Sequence, residues 1–203
     1  SSLWCDVRKD ALFVLVKHAP AFRSAPTAAS RLAEALALLL HPICPFTAEE
    51  IWEALPGHEG GTPALATWDD LRLATLSDEE HAAWSRLLEV RAAFVSALEP
   101  LRRDGVVGTS AQACAEVEGT PALRADLAAV GLDGDRFAEL LIVPEVVLGP
   151  VRPGVSEGTL PAVAARAADG TKCPRCWQVK RDADESGLCP RCRGILSRTA
   201  ASS

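Results

Sequence analysis

Two C-x-x-C pairs near the end of this chain, Cys173/Cys176 and Cys189/Cys192, constrain what it can fold into more than any other feature. Each pair sets two thiols on one tight turn, and two such turns bring four thiolates to a common centre. Four thiolates at about 2.3 Å form a closed tetrahedral zinc site with no position left for water, so the pattern predicts one structural zinc rather than a catalytic metal. Twelve residues separate the pairs, a shorter spacer than the common zinc pattern but ample for a short hairpin. Pro174-Arg175 and Pro190-Arg191 complete a repeated C-P-R-C. Two similar knuckles therefore face each other, with Asp184-Glu185-Ser186-Gly187 as the turn between them. The odd total of seven cysteines and the lack of an apolar signal segment at the start argue against a disulfide framework. A redox C-x-x-C expects a strand–helix context that this stretch lacks. Cys5, Cys44 and Cys114 stand singly and read as small buried apolar residues.

The net charge of −6 does not advertise nucleic-acid binding, but the distribution is uneven. Residues 166–203 carry eight basic and four acidic side chains, whereas residues 1–165 carry thirteen and twenty-three. Lys172, Arg175, Lys180, Arg181, Arg191 and Arg193 surround the knuckles, against Asp182, Asp184 and Glu185. A zinc with four thiolates adds a double negative charge, so some of these cations serve to neutralise the site itself. The most apolar run, "LAEALALLLHPIC", is broken by Glu34 and by His41-Pro42, too soon to span a membrane. No methionine occurs at position 1 or elsewhere, which suggests a piece of something longer.

Apolar spacing predicts helix over 3–18, then a break at "APAFRSAP", with Pro26 in the first turn of a second helix that runs to Leu40. Thr47-x-x-Glu50 reads as a capping box that starts a short third helix, stopped at Pro56-Gly57. A loop follows, ending near an exposed Trp68. Ser77-x-x-Glu80 is a second capping box and opens the longest helix, about 78–103, with Pro100 as a possible kink. Alternation in "SAQACAEVEG" predicts a strand, "TPALRADLAAVG" a short helix, and "LLIV" and "EVVLG" two more strands split by Pro144. Residues 150–170 read as a Gly-, Pro- and Ala-rich lead into the knuckles.

The expected fold class is mainly α. A helical bundle over 1–104 is followed by a small mixed α/β junction over 105–165 and a zinc-binding C-terminal element over 166–203. No catalytic constellation is present. His18, His41, His58 and His81 are scattered, and no phosphate-loop or nucleophile-elbow motif occurs.

"SSLWCDVRKDALF" and "RSAPTAASRLAEALALLLHPICPFTAEEIWEALPG" resemble the helical anticodon-binding domain of class I aminoacyl-tRNA synthetases for branched aliphatic amino acids, with "PFTAEEIW" the most specific stretch. "KCPRCWQVK…GLCPRCRGIL" and "LLEVRAAFVSALEPLRRDGVVGTSAQACAEV" resemble the C-terminal part of the bacterial-type isoleucyl-tRNA synthetase family. The family's ATP-binding signatures and editing domain do not occur, and the match starts inside the bundle, which implies that its first helices are missing. The resemblance implies a cytoplasmic, tRNA-binding C-terminal region that holds the anticodon stem-loop of isoleucine tRNA for the catalytic and editing domains of a parent ligase. Unstacked bases can stack on aromatics, and phosphates can be gripped by Lys and Arg. Trp177 is then the candidate stacking platform or, on the bland reading, a lid over the metal. Arg175, Lys180, Arg181 and Arg191 are the candidate phosphate or base contacts. Two other classes compete: the DNA-gripping zinc finger of formamidopyrimidine-DNA glycosylases, and a zinc-stapled protein-interaction module favoured by the acidic bundle.

Overall fold

The computed structural model describes residues 2–9, 20–67, 75–151 and 159–200. They are mainly helical and fall into two compact units, one of residues 1–10 with 76–203 and one of residues 11–75.

The larger unit is built on α4 (Asp78–Arg103). The capping box at its start forms as expected: the Ser77 hydroxyl accepts from the Glu80 amide at 3.2 Å, and Glu80 accepts from the Ser77 amide at 2.8 Å. Both bonds satisfy donors that a helix N-terminus otherwise leaves open. Buried Ala83, Leu87, Val90, Phe94 and Leu98 recur every three or four residues along one face. Pro100 does not end the helix. It sits in the last turn, and its carbonyl accepts from the Asp104 amide.

That buried face packs on a three-stranded sheet ordered β2 (Glu145–Gly149), β1 (Ala113–Glu118), β3 (Val163–Ala167). β1 pairs parallel to β2 and antiparallel to β3. Parallel strands need a crossover, which α5 (Pro121–Ala129) and α6 (Gly134–Leu141) supply. Leu123, Leu127, Phe137 and Leu141 join the core beside Ala115 and Val117 of β1. Val7 of α1 (Ser2–Lys9) packs on the same cluster; the rest of the helix expected over 3–18 lies outside the described residues. Arg86 of α4 grips Asp126 of α5 through two donors, with Nε to Oδ2 at 2.9 Å.

Three expectations change here. "LLIV" is not a strand, because Leu140 and Leu141 finish α6. Ile142 then turns to φ +60°, and the Val143 amide reaches back to the Ala138 carbonyl at 3.0 Å. This is a Schellman ending with isoleucine where glycine is usual. β3 lies in the stretch read as a linker: its alanine-rich sequence carries little strand propensity, and pairing with β1 makes it a strand. Alternation on β1 is also imperfect, since Cys114 is buried on the face opposite Ala115. Arg166, its partner in register, reaches diagonally to Glu116 at 2.8 Å, and burial pushes the Cys114 thiol up.

In the smaller unit α2 (Pro20–Leu40) runs straight through Pro26, so the expected break is absent. The helix starts six residues earlier than that proline, at Pro20, and one missing amide bond does not stop an alanine-rich helix once it is propagating. α3 (Pro45–Glu53) begins at Pro45 after Cys44, not at the Thr47 capping box; Cys44 makes no side-chain cap. A proline at the first position gives up no bond the helix would have used and presets φ. Trp52 packs with Ala37 and Leu38, and the His58 ring lies 4.2 Å from the indole. Glu49 accepts from the Thr62 hydroxyl at 2.5 Å and pairs with His41 at 3.6 Å. Leu32, Leu36, Leu39 and Ile43 remain exposed along one side of α2 and its C-terminal turn. Trp68 lies outside the described residues. Cys5 and Cys44 are exposed rather than buried.

Candidate metal centre and nucleic-acid interface

The first knuckle is a hairpin of β4 (Thr171–Lys172) and β5 (Val179–Lys180). The Cys173 amide donates to the Gln178 carbonyl at 2.9 Å, and the Trp177 amide donates to the Cys173 carbonyl at 2.8 Å. Gly170 enters this hairpin at φ +123°, where a Cβ would stand 2.2 Å from the Lys180 carbonyl oxygen, so only glycine fits.

The second knuckle is shaped by Asp184. Its Oδ1 accepts from the Ser186 hydroxyl at 2.6 Å and from the Ser186 and Leu188 amides at 3.0 Å each. The Ser186 hydroxyl above all, with those amides and Arg193, holds the carboxyl below its ordinary value against desolvation. Gly187 closes the turn at φ +78°. The expected D-E-S-G turn is therefore present, but the paired hairpin encloses the first cysteine pair rather than lying between the pairs. Cys189 then precedes Pro190, which opens α7 (Pro190–Ala200), and Cys192 sits in its first turn. No helix was expected there. Proline at the first position is the signal that could have found it. A helix N-terminus favours negative sulfur, but burial outweighs it and raises the Cys192 thiol.

The knuckles bring the sulfurs of Cys173, Cys176, Cys189 and Cys192 within 4.8 Å of one another. The Cys176–Cys189 separation is 3.8 Å. Metal–sulfur bonds of about 2.3 Å imply tetrahedral edges of roughly 3.8 Å, so the four residues fit a metal ion. Cys173, Cys189 and Cys192 are buried, and Cys176 is half-buried. The thiols do not ionise alike. Burial raises Cys173, but the amides of Cys189, Cys176 and Arg175 outweigh it and bring it down to about 6. Burial pushes Cys176 up to about 12. A dication among them would allow all four to be thiolates together.

The aromatic and basic candidates have different fates. Trp177 follows the first pair at φ +63°, with 61% of its surface exposed. It is not packed as a lid. Lys180 Nζ donates to the Pro144 carbonyl at 2.6 Å, and Arg181 pairs with Asp169 at 2.9 Å and Glu145 at 3.7 Å. These two cations tie the first knuckle to the start of β2. Arg175 Nη1 reaches Cys192 Sγ at 3.8 Å. Arg191 is half-buried beside a groove of about 390 Å³ that Asp135, Glu139, Gln178 and Lys180 also line. Arg193 pairs with Asp184 at 3.3 Å. Much of the positive charge counted in the tail is thus already engaged by carboxylates, a carbonyl or a sulfur.

A family model described as the anticodon-binding domain of tRNA ligase matches residues 5–118. An isoleucine–tRNA ligase of Neisseria meningitidis is 36% identical over 205 residues, 97% of this chain and 21% of that protein. Those of Neisseria gonorrhoeae and Halorhodospira halophila are each 36% identical, covering 94% and 93% of this chain and 20% and 21% of theirs. The chain therefore spans about a fifth of the length of the curated relatives it matches.

Proposed function

The chain belongs to the anticodon-binding domain family of tRNA ligases, and on that premise we propose that it is the tRNA-binding C-terminal region of an isoleucine–tRNA ligase. In this reading it acts in the cytoplasm and holds the anticodon stem-loop of isoleucine tRNA while the catalytic and editing domains of the parent ligase work at the acceptor end. Among the described residues no helix is long and apolar enough to cross a membrane. One zinc, bound by Cys173, Cys176, Cys189 and Cys192, locks the two knuckles; four thiolates complete its coordination, so its role is structural.

The observation that carries the proposal is the exposed indole of Trp177, next in the chain to Cys176 of the four-cysteine cluster. A large aromatic in water beside a fixed turn is suited to stacking on an unpaired base. Arg175, Lys180, Arg181 and Arg191 supply the nearby positive charge. Because Lys180 and Arg181 also tie the knuckle to the sheet, they act on RNA from fixed positions. The glycosylase-type finger is not favoured, since the family match and the relatives point to tRNA ligases.

Titration of the zinc-loaded chain with an isoleucine anticodon stem-loop tests this. Binding should quench tryptophan fluorescence and weaken steeply with salt. Affinity that is independent of salt and equal for an unrelated hairpin would overturn the proposal.

A further inference from the structure

The C-P-R-C repeat places an arginine inside each pair, and the first of them does not point away from the metal centre. Arg175 leaves the turn of the first knuckle and crosses to the second, where its Nη1 lies 3.8 Å from the sulfur of Cys192 in the first turn of α7. Cys192 is fully buried, and Arg175 is half-buried beside it. The contact therefore joins the two halves of the cluster across 17 residues of chain. Four thiolates around a dication leave a net double negative charge. A buried excess of that kind is costly unless it is paired, and a guanidinium hydrogen bond to sulfur both pairs it and fixes the ligand's direction. Lys180, Arg181 and Arg193 of the same element are instead held by a carbonyl or by carboxylates.

We propose that Arg175 is a positioning residue of the metal centre: its guanidinium donates to the Cys192 sulfur, offsets the cluster's charge and holds the second knuckle against the first. The inference rests on the reading that the four cysteines bind zinc. It assigns Arg175 a duty to the metal that is separate from any contact with RNA.

Zinc affinity of the whole chain, measured by competition with a chromophoric chelator, tests this in the parent, Arg175→Ala, Arg175→Lys and Lys172→Ala. Outer-shell partners of metal ligands typically contribute about 10–100-fold in affinity, so Arg175→Ala should bind zinc at least about ten-fold more weakly. Arg175→Lys keeps the charge and should stay within about three-fold of the parent, taking a guanidinium-to-ammonium change as a fraction of that effect. Lys172→Ala removes one positive charge from an exposed position of the same element and should bind as the parent does. Unchanged affinity in Arg175→Ala or an equal loss in Lys172→Ala overturns the inference. If Arg175→Ala fails to fold its tail even with zinc, Arg175→Lys decides: parent-like affinity supports the inference, and failure like that of alanine overturns it. A parent chain that takes up no zinc overturns the zinc reading and this inference with it, whereas zinc uptake with an indifferent Arg175→Ala overturns this inference alone.

Discussion

Trp177 combines two properties that packing alone does not reward. Its backbone is left-handed, a conformation that disfavours side chains by roughly 1–2 kcal/mol, and its indole is mostly in water. Glycine there removes the backbone strain and buries nothing less. Trp177→Gly should therefore hold zinc as tightly as the parent or more tightly, and raise the thermal midpoint of the tail. The same variant should lose about ten-fold or more in anticodon stem-loop affinity, because one base stacked on an aromatic is worth roughly 1–3 kcal/mol. Paired zinc-competition and RNA titrations check both halves, and a variant that loses zinc would make the indole part of the metal core. Asp126 is the converse case: it is buried and meets two donors of Arg86. Asp126→Ala leaves the partly exposed arginine without its partner and should cost about 1–3 kcal/mol in urea unfolding. The C-x-x-C spacing was enough to pick out the four cysteines. Which cations are already engaged was not legible, because their partners, Pro144 and Glu145 among them, lie far away in sequence.

Among the elements, α4 is the one most fully written in its own sequence. Its cap and apolar period are local, so the start at Ser77 and the buried face could be read directly. Ser77→Ala should cost about 0.5–2 kcal/mol, as N-cap losses do. Glu80 adds a pH dependence of known sign. Its bonds to Ser77, the backbone amide above all, lower its carboxyl below 4.5. Its contribution is then complete above about pH 4.5 and is lost as pH falls through the lower folded value. A pH series comparing the parent with Glu80→Gln should converge in acid. On the zinc reading, the knuckles depend on metal in a way α4 does not. Cys189→Ser should remove the ordered hairpin and α7 while leaving the α4–sheet core intact, because metal binding supplies the folding energy of so small an element. Proteolysis confined to the last thirty or so residues, with near-parent helical circular dichroism, is the expected result.

At the scale of the whole molecule, α2 leaves Leu32, Leu36, Leu39 and Ile43 open to water. Contiguous exposed apolar surface favours association. The chain should therefore sediment as dimers or larger species and bind a hydrophobic dye. Leu36→Glu should reduce both without unfolding the helix, since that side chain is already about half exposed. A dye-silent parent monomer would contradict this. The chain should also give background in ATP–pyrophosphate exchange with isoleucine, because the ATP-binding signatures of the family it resembles do not occur in it.

The sequence by itself determined the features whose information is local: the two cysteine pairs, the capping box at Ser77, the apolar face of α4 and the short helix after Thr120. The Ser77 box and each metal pair close within three residues, so their physics is local, whereas the box read at Thr47 lost to the proline at Pro45. Tertiary structure decided the rest. The alanine-rich segment 163–167 is a strand because β1 offers it hydrogen bonds. "LLIV" ends a helix because Ala138 and Val143 close a bond around Ile142. Lys180 and Arg181 are tethered, and Arg175 meets a sulfur of the other knuckle, because folding brings their partners within reach. Each of these outcomes is a competition between water and a distant partner, and only the folded chain settles which partner is near enough to win.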